Sequence, residues 1–216
     1  MKARLLFTAL FVISASAALA EKEGIVQCAN VIYAGNKTSQ CFSDAFLTQV
    51  QQKTTIVTDR RFKPVKLDSA ELFDFPLIVM TGEGDFRLLQ SERDNLAKYL
   101  SGGGFLLASA GCSSKEWDDA FRRELRTLLP GADLKAIPPE HPLFHTVFQI
   151  ERLDLTHSSG TASLEGLEVN GRMACVYSRH GLNDTQHSSG CCCCGGNEIR
   201  NSMEVNVNIV AYTLLH

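Results

Sequence analysis

The sequence predicts an α/β fold, with one doubly wound, mostly parallel sheet in a single domain. Three observations carry this. Leu77-Ile78-Val79-Met80 and Phe105-Leu106-Leu107-Ala108 are apolar at every position, as strands buried on both faces must be. Such runs alternate with segments of helical period. Lys115 to Leu129 is the clearest, with Trp117, Phe121, Leu125 and Leu128 on one stripe. No repeat breaks the chain, and its length suits one full core.

The elements follow in order. Residues 1–20 read as a secretory signal: Lys2 and Arg4 form a basic start, Leu5 to Ile13 an apolar centre, and Ala18-Leu19-Ala20 a small-residue cleavage site. The apolar run is too short for a membrane span, and residues 21–216 form the expected domain. Ile25 to Tyr33 is the first expected strand. A helix capped by Ser43 follows through Val50. Thr54 to Val57 is β-branched and short, hence a second strand. Glu71-Leu72-Phe73 is a helical turn stopped by Pro76. The strand Leu77 to Met80 leads to a helix from Gln90 to Leu100, which Gly102-Gly103-Gly104 ends. The strand Phe105 to Ala108 leads to the helix Lys115 to Leu129, ended by Pro130-Gly131. Arg172 to Tyr177 is the fifth strand. Asn201-Ser202-Met203-Glu204 starts a last helix that runs to Leu215.

Of 216 residues, 21 are Lys or Arg and 24 Asp or Glu. Losing Lys2 and Arg4 with the signal leaves 19 basic against 24 acidic residues, a net charge of about −5. No basic stripe implies a nucleic-acid partner, and no other segment suits a membrane span. The expectation is an exported, periplasmic or extracellular protein that is not an integral membrane protein once cleaved.

In doubly wound sheets ligands sit at the carboxyl ends of the strands. That rule selects the loops Thr81 to Phe86, Ser109 to Ser114 and Ser178 to Glu198. The segments Thr81-Gly82-Glu83-Gly84-Asp85-Phe86, Tyr99 to Leu106, Phe121-Arg122-Arg123-Glu124-Leu125, Glu140-His141-Pro142-Leu143-Phe144 and Ala174-Cys175-Val176-Tyr177-Ser178 occur in that order. Together they resemble the bacterial family called domain of unknown function 4159, from about Ile25 to the end. The resemblance implies a flavodoxin-like sheet of the class I glutamine amidotransferase type. It implies a fold rather than a chemistry.

Cys112 follows a buried strand and Gly111 and precedes a helix. In amidotransferases the nucleophilic cysteine sits on such a turn, where a helix N-terminus favours the thiolate. Here the Gly expected two positions later is Ser114. His180 is the one candidate base in a suitable loop, without an acid two residues on. A structural or disulfide-bonded cysteine is the competing reading. Glu83 and Asp85 are carboxylates in a strand-end loop where Gly82 and Gly84 permit close approach of a ligand. The simpler reading of that loop is a turn capped by Asp85.

Eight cysteines include the run Cys191-Cys192-Cys193-Cys194. Alternate residues of an extended run point opposite ways, so one metal takes at most two of them easily. Disulfides suit an exported chain with an even cysteine count. A zinc site drawing on Cys28, Cys41, Cys112, His180 or His187 is the second reading, and thiol redox chemistry the third. The run is expected to approach Cys112 or the Cys28/Cys41 pair. Cys175, mid-strand, reads as a core thiol. His141 and His145 read as parts of a structural loop, and Arg122-Arg123 as a solvated helix face. Two functions compete: a non-catalytic module binding a small molecule or a protein, with a cysteine cluster organised by disulfides or metal, and a thiol- or zinc-dependent hydrolase of amidotransferase type acting through Cys112.

Overall fold

The computed structural model describes residues 24–39, 42–131, 133–183 and 197–216. The expected signal segment, Cys41, His187 and Cys191 to Cys194 lie outside the described residues. Five parallel strands form the centre: β2 (Cys28–Tyr33), β5 (Lys63–Lys66), β6 (Leu77–Gly82), β7 (Phe105–Ala110) and β10 (Arg172–Ser178), side by side as β5-β2-β6-β7-β10. Antiparallel β9 (Glu165–Val169) and β8 (Lys135–Ala136) extend the β10 side. The short β3 (Lys37–Thr38) folds back on the end of β2. The sheet is mostly parallel, as expected.

Alternation along the strands builds two cores. Ile78 and Met80 of β6, with Leu106 and Ala108 of β7, face α2 (Gln90–Ser101) and α3 (Lys115–Leu128). Leu77, Val79, Phe105 and Leu107 face α1 (Ala45–Lys53) and α4 (Ser202–Leu215). Helices therefore cover both faces, which is why every residue of β7 is buried. On α3 the stripe Trp117, Ala120, Phe121 and Leu125 is buried, each large apolar side chain contributing about 1.5–3 kcal/mol. Helix α4 is buried from Val205 to Ala211, and that stretch carries two asparagines. Both are used: Asn206 donates to the Leu182 carbonyl at 2.9 Å and Asn208 to that of Phe148 at 2.9 Å. Among the described residues no helix is long and apolar enough to cross a membrane.

Three expectations need correction. The run Ile25 to Tyr33 breaks at Gln27: β1 (Ile25–Val26) leaves the main sheet and pairs in parallel with β4 (Val57–Thr58). Of the expected second strand, Thr54 to Val57, only Val57 is extended, as part of this small outlier. The true neighbour of β2 is β5, Lys-Pro-Val-Lys, in which only Val65 is buried. Pro and Lys are what an edge strand tolerates and a central strand does not. Finally, β8 and β9 add an antiparallel flank that the sequence pattern did not announce.

Candidate functional site

The carboxyl ends of β2, β6, β7 and β10 meet at one edge, and close packing there depends on two glycines. A Cβ on Gly82 would stand 2.2 Å from Tyr33 Oη and 3.0 Å from Trp117 Nε1. Those groups are already bonded: the indole N–H donates to Tyr33 Oη at 2.8 Å, and the Tyr33 hydroxyl donates to the Thr81 carbonyl at 3.0 Å. A Cβ on Gly111 would stand 3.0 Å from the Gly82 carbonyl oxygen. Thr81 Oγ1 donates to the Ser109 carbonyl at 2.7 Å and draws the same two strand ends together.

Beyond β7 the chain turns sharply. Ser114 N–H donates to the Gly111 carbonyl at 2.9 Å, and both central residues, Cys112 (φ 51°) and Ser113 (φ 54°), are left-handed. That pattern favours glycine and asparagine; a cysteine and a serine there hold strain of about 1–3 kcal/mol each. Ser114 then caps α3, its Oγ accepting from Trp117 N–H at 3.3 Å and from Gly84 N–H at 3.1 Å. Ser114 thus supplies the cap that this helix needs.

The turn brings Cys112 against two carboxylates. Its Sγ donates to Glu83 Oε1 at 3.1 Å. Its backbone N–H donates to Glu198 Oε1 at 3.1 Å. Glu198 is only 3% exposed. Burial pushes its carboxyl up to about 7, the Cys112 and Asn183 backbone groups offset part of this, and the charge of Glu83 adds to it. A backbone hydrogen bond from Asn183 also reaches this carboxyl, whose Oε2 atom packs against Gly181. That atom fills the space left by the missing side chain of Gly181, where a Cβ would stand 1.5 Å away.

The segment carrying Glu198 is strapped across the edge. Ser113 Oγ donates to the Asn197 carbonyl at 3.0 Å and accepts from Asn197 N–H at 3.1 Å. The Glu198 carbonyl accepts from Thr156 N–H at 2.9 Å and Thr156 Oγ1 at 2.8 Å, and Ile199 N–H donates to the Gly181 carbonyl at 2.8 Å. Glu198 was no candidate in the sequence. The only cue was its place at the end of a selected loop, before the buried Ile199.

The structure therefore brings Gly82, Glu83, Gly111 and Cys112 together. Gly84 (φ 69°) shapes the same loop. Asp85 turns outward to Arg123, 3.0 Å away, and the guanidinium holds its carboxyl below the usual range. The buried Nδ1 of His180 has no hydrogen-bond partner among the described residues, and the charges that act on the ring are Arg179 and Asp118. Burial lowers its pKa, with Arg179 adding to that and Asp118 opposing it. The side chain that Cys112 is seen to meet is the Glu83 carboxylate. Cys28 is a free, fully buried thiol in β2, pushed up to about 12 by burial and by Asp59. Cys175 is likewise a free core thiol. Among the described residues no set of three His, Cys, Asp or Glu side chains could hold a metal ion, so any zinc site would depend on residues beyond them.

The remaining singled-out groups are structural. His141 Nδ1 accepts from Leu143 N–H at 3.2 Å, and His145 bonds Gln149 Oε1 at 2.9 Å and the Pro139 carbonyl at 3.0 Å. Arg122 is not merely a solvated group. It pairs with Asp118 at 2.7 Å and Glu165 at 2.5 Å and lies over the Tyr177 ring. A cavity of about 400 Å³ beside His141 and Met173 lies near the start of β10, away from Cys112.

Comparison with curated proteins finds no match. The sequence profile described as Domain of unknown function (DUF4159) matches residues 27–214, nearly all of the chain, and the protein belongs to that family.

Proposed function

We propose that this protein is an exported, non-catalytic binding module whose site is the edge around Glu83, Cys112 and Glu198. One observation carries the reading: the Cys112 backbone N–H is committed to the Glu198 carboxylate. In acyl transfer from a cysteine on such a turn, backbone N–H donors must face the developing oxyanion. Here that donor is occupied by an internal acid, and the thiol hydrogen-bonds a carboxylate, Glu83. The order β5-β2-β6-β7-β10 is 2-1-3-4-5 in chain sequence, which supports a flavodoxin-like sheet and a ligand at its carboxyl edge. Export with loss of residues 1–20, and organisation of Cys191 to Cys194 by disulfides or zinc, belong to the same proposal. They rest on the sequence pattern. The mass of the secreted chain, a thiol count and a metal analysis test them.

A second reading has its own support. Positive φ at Cys112 and its 3.1 Å contact with Glu83 suit a thiol-dependent hydrolase or amidotransferase in which Glu83 takes the thiol proton. Assays with glutamine and p-nitrophenyl acetate, on the native protein and Cys112→Ser, decide between them. The binding reading expects no turnover above the variant's. Multiple turnover lost in Cys112→Ser overturns it.

A further inference from the structure

We propose that the hollow on the antiparallel flank is a second binding site, and that it takes a small zwitterion with an apolar side chain, a free amino acid of the leucine kind. The cavity, of about 400 Å³, lies away from Cys112 and does not depend on the site at that edge. Its size falls at the small end of ligand pockets. Its origin is visible in the packing. Helices α1 and α4 cover this face of the sheet over β6, β7 and β10, but no residue lining the cavity belongs to a helix. Where the cover stops, β9 carries Gly166. A Cβ there would stand 3.0 Å from Met173 Cε and 3.3 Å from Ile137 Cγ1. These two side chains close over the missing one and make an apolar floor. The pairing of β9 with β10 slips between Met173 and Cys175, a bulge of the kind that re-aims a side chain beside a site.

Three charged side chains rim that floor. Lys135 lies across the strands from Gly166, and Glu168 across from Met173. The same register, continued, sets Asp133 opposite Glu168. Alternate residues share a face, and Asp133, Lys135 and Glu168 all line the cavity. None of the three has an ion pair or side-chain hydrogen bond with another described residue. Two carboxylates facing each other across a strand pair repel, and a ligand ammonium between them removes that repulsion. The Lys135 ammonium, two positions along, is the place for a ligand carboxylate. His141 adds a donor to the wall. Its Nδ1 accepts from Leu143 N–H, so the neutral ring carries its proton on Nε2. Burial lowers its pKa, with His216 acting in the same direction and Glu168 against it. A simple anion meets two carboxylates here, and a simple amine leaves Lys135 unused. A neutral apolar molecule covers the floor and strands all three charges. The zwitterion uses the floor and each wall.

The test uses the native protein labelled with ¹³C-methyl methionine and follows Met173, with Met80 and Met203 as internal references. L-Leucine is titrated near neutral pH and at constant ionic strength against isocaproate, isoamylamine and glycine, which lack the ammonium, the carboxylate and the apolar side chain respectively. Saturable movement of the Met173 methyl with L-leucine is expected, and each of the other three should bind at least about tenfold more weakly. Lys135→Ala should weaken L-leucine by about tenfold without weakening isoamylamine, and Glu168→Gln should weaken both. Both side chains are exposed, so the variants keep the fold. No saturable movement of Met173, movement of Met203 in its place, or equal affinity for L-leucine and any of the three partial ligands overturns the proposal. So does unchanged affinity for L-leucine in Lys135→Ala.

Discussion

Glu198→Gln should flatten the dependence of stability on pH between about 4.5 and 7. The ordinary value for this carboxyl is 4.5, and the fold raises it to about 7, chiefly by burial. The folded chain therefore binds more protons than the unfolded chain across that window. A group raised in this way makes stability fall as pH rises, with the loss complete above the folded value. At about 1.4 kcal/mol per pH unit the total is about 3 kcal/mol, and because Glu198 is almost fully buried, solvent screening removes little of it. Glutamine cannot ionise. It keeps an oxygen for the Cys112 N–H, but its amide must take the position beside Gly181, which costs about 1 kcal/mol. The variant should thus be slightly less stable than the native protein at pH 4.5 and more stable, by up to about 2 kcal/mol, at pH 8. Urea unfolding at four or five pH values measures this, and the native-minus-variant difference cancels every other titrating group. A difference that stays constant from pH 4.5 to 8, or that grows in the opposite direction, refutes the buried-acid argument.

Three further outcomes follow from the same edge. Gly82→Ala should cost about 1–3 kcal/mol by overpacking, because its methyl lands on Tyr33 Oη; the melting temperature and the emission of Trp117 should both change, and unchanged emission would place the damage elsewhere. Cys112→Gly should stabilise the fold by about 1 kcal/mol, since glycine adopts a φ of 51° without strain; a loss of stability would mean that side-chain contacts outweigh the backbone term. Cys28 and Cys175 should resist a disulfide reagent at pH 8 in the native state and react on unfolding, since both are wholly buried and at a pKa of about 12 only roughly one Cys28 thiol in ten thousand is ionised; rapid native labelling of either would contradict the core assignment.

What could be read in advance divides along physical lines. Strands buried on both faces and helices with one apolar stripe announce themselves, because burial acts on every residue or on every third and fourth. Thus β6, β7, α3 and the sheet's parallel centre were legible. The edge strand β5 was not: one buried valine between lysines and a proline leaves no pattern, and its identity comes from pairing with β2. The same division runs through the site. Glu83 and Cys112 follow from the strand-end rule, since each lies just past a strand that the sequence shows. Glu198 reaches Cys112 across 86 positions, and no local period marks a carboxylate that folds into the space over a glycine. His180 shows a related limit. A histidine in the right loop suggests a base, but whether its ring meets the thiol depends on the direction of one side chain, and here Asp118 and Arg179 are the charges that it senses. The chemistry at this edge is set by which acid fills the turn after β7, and that choice is made by the packing of Gly181 against Glu198 rather than by any motif around the cysteine.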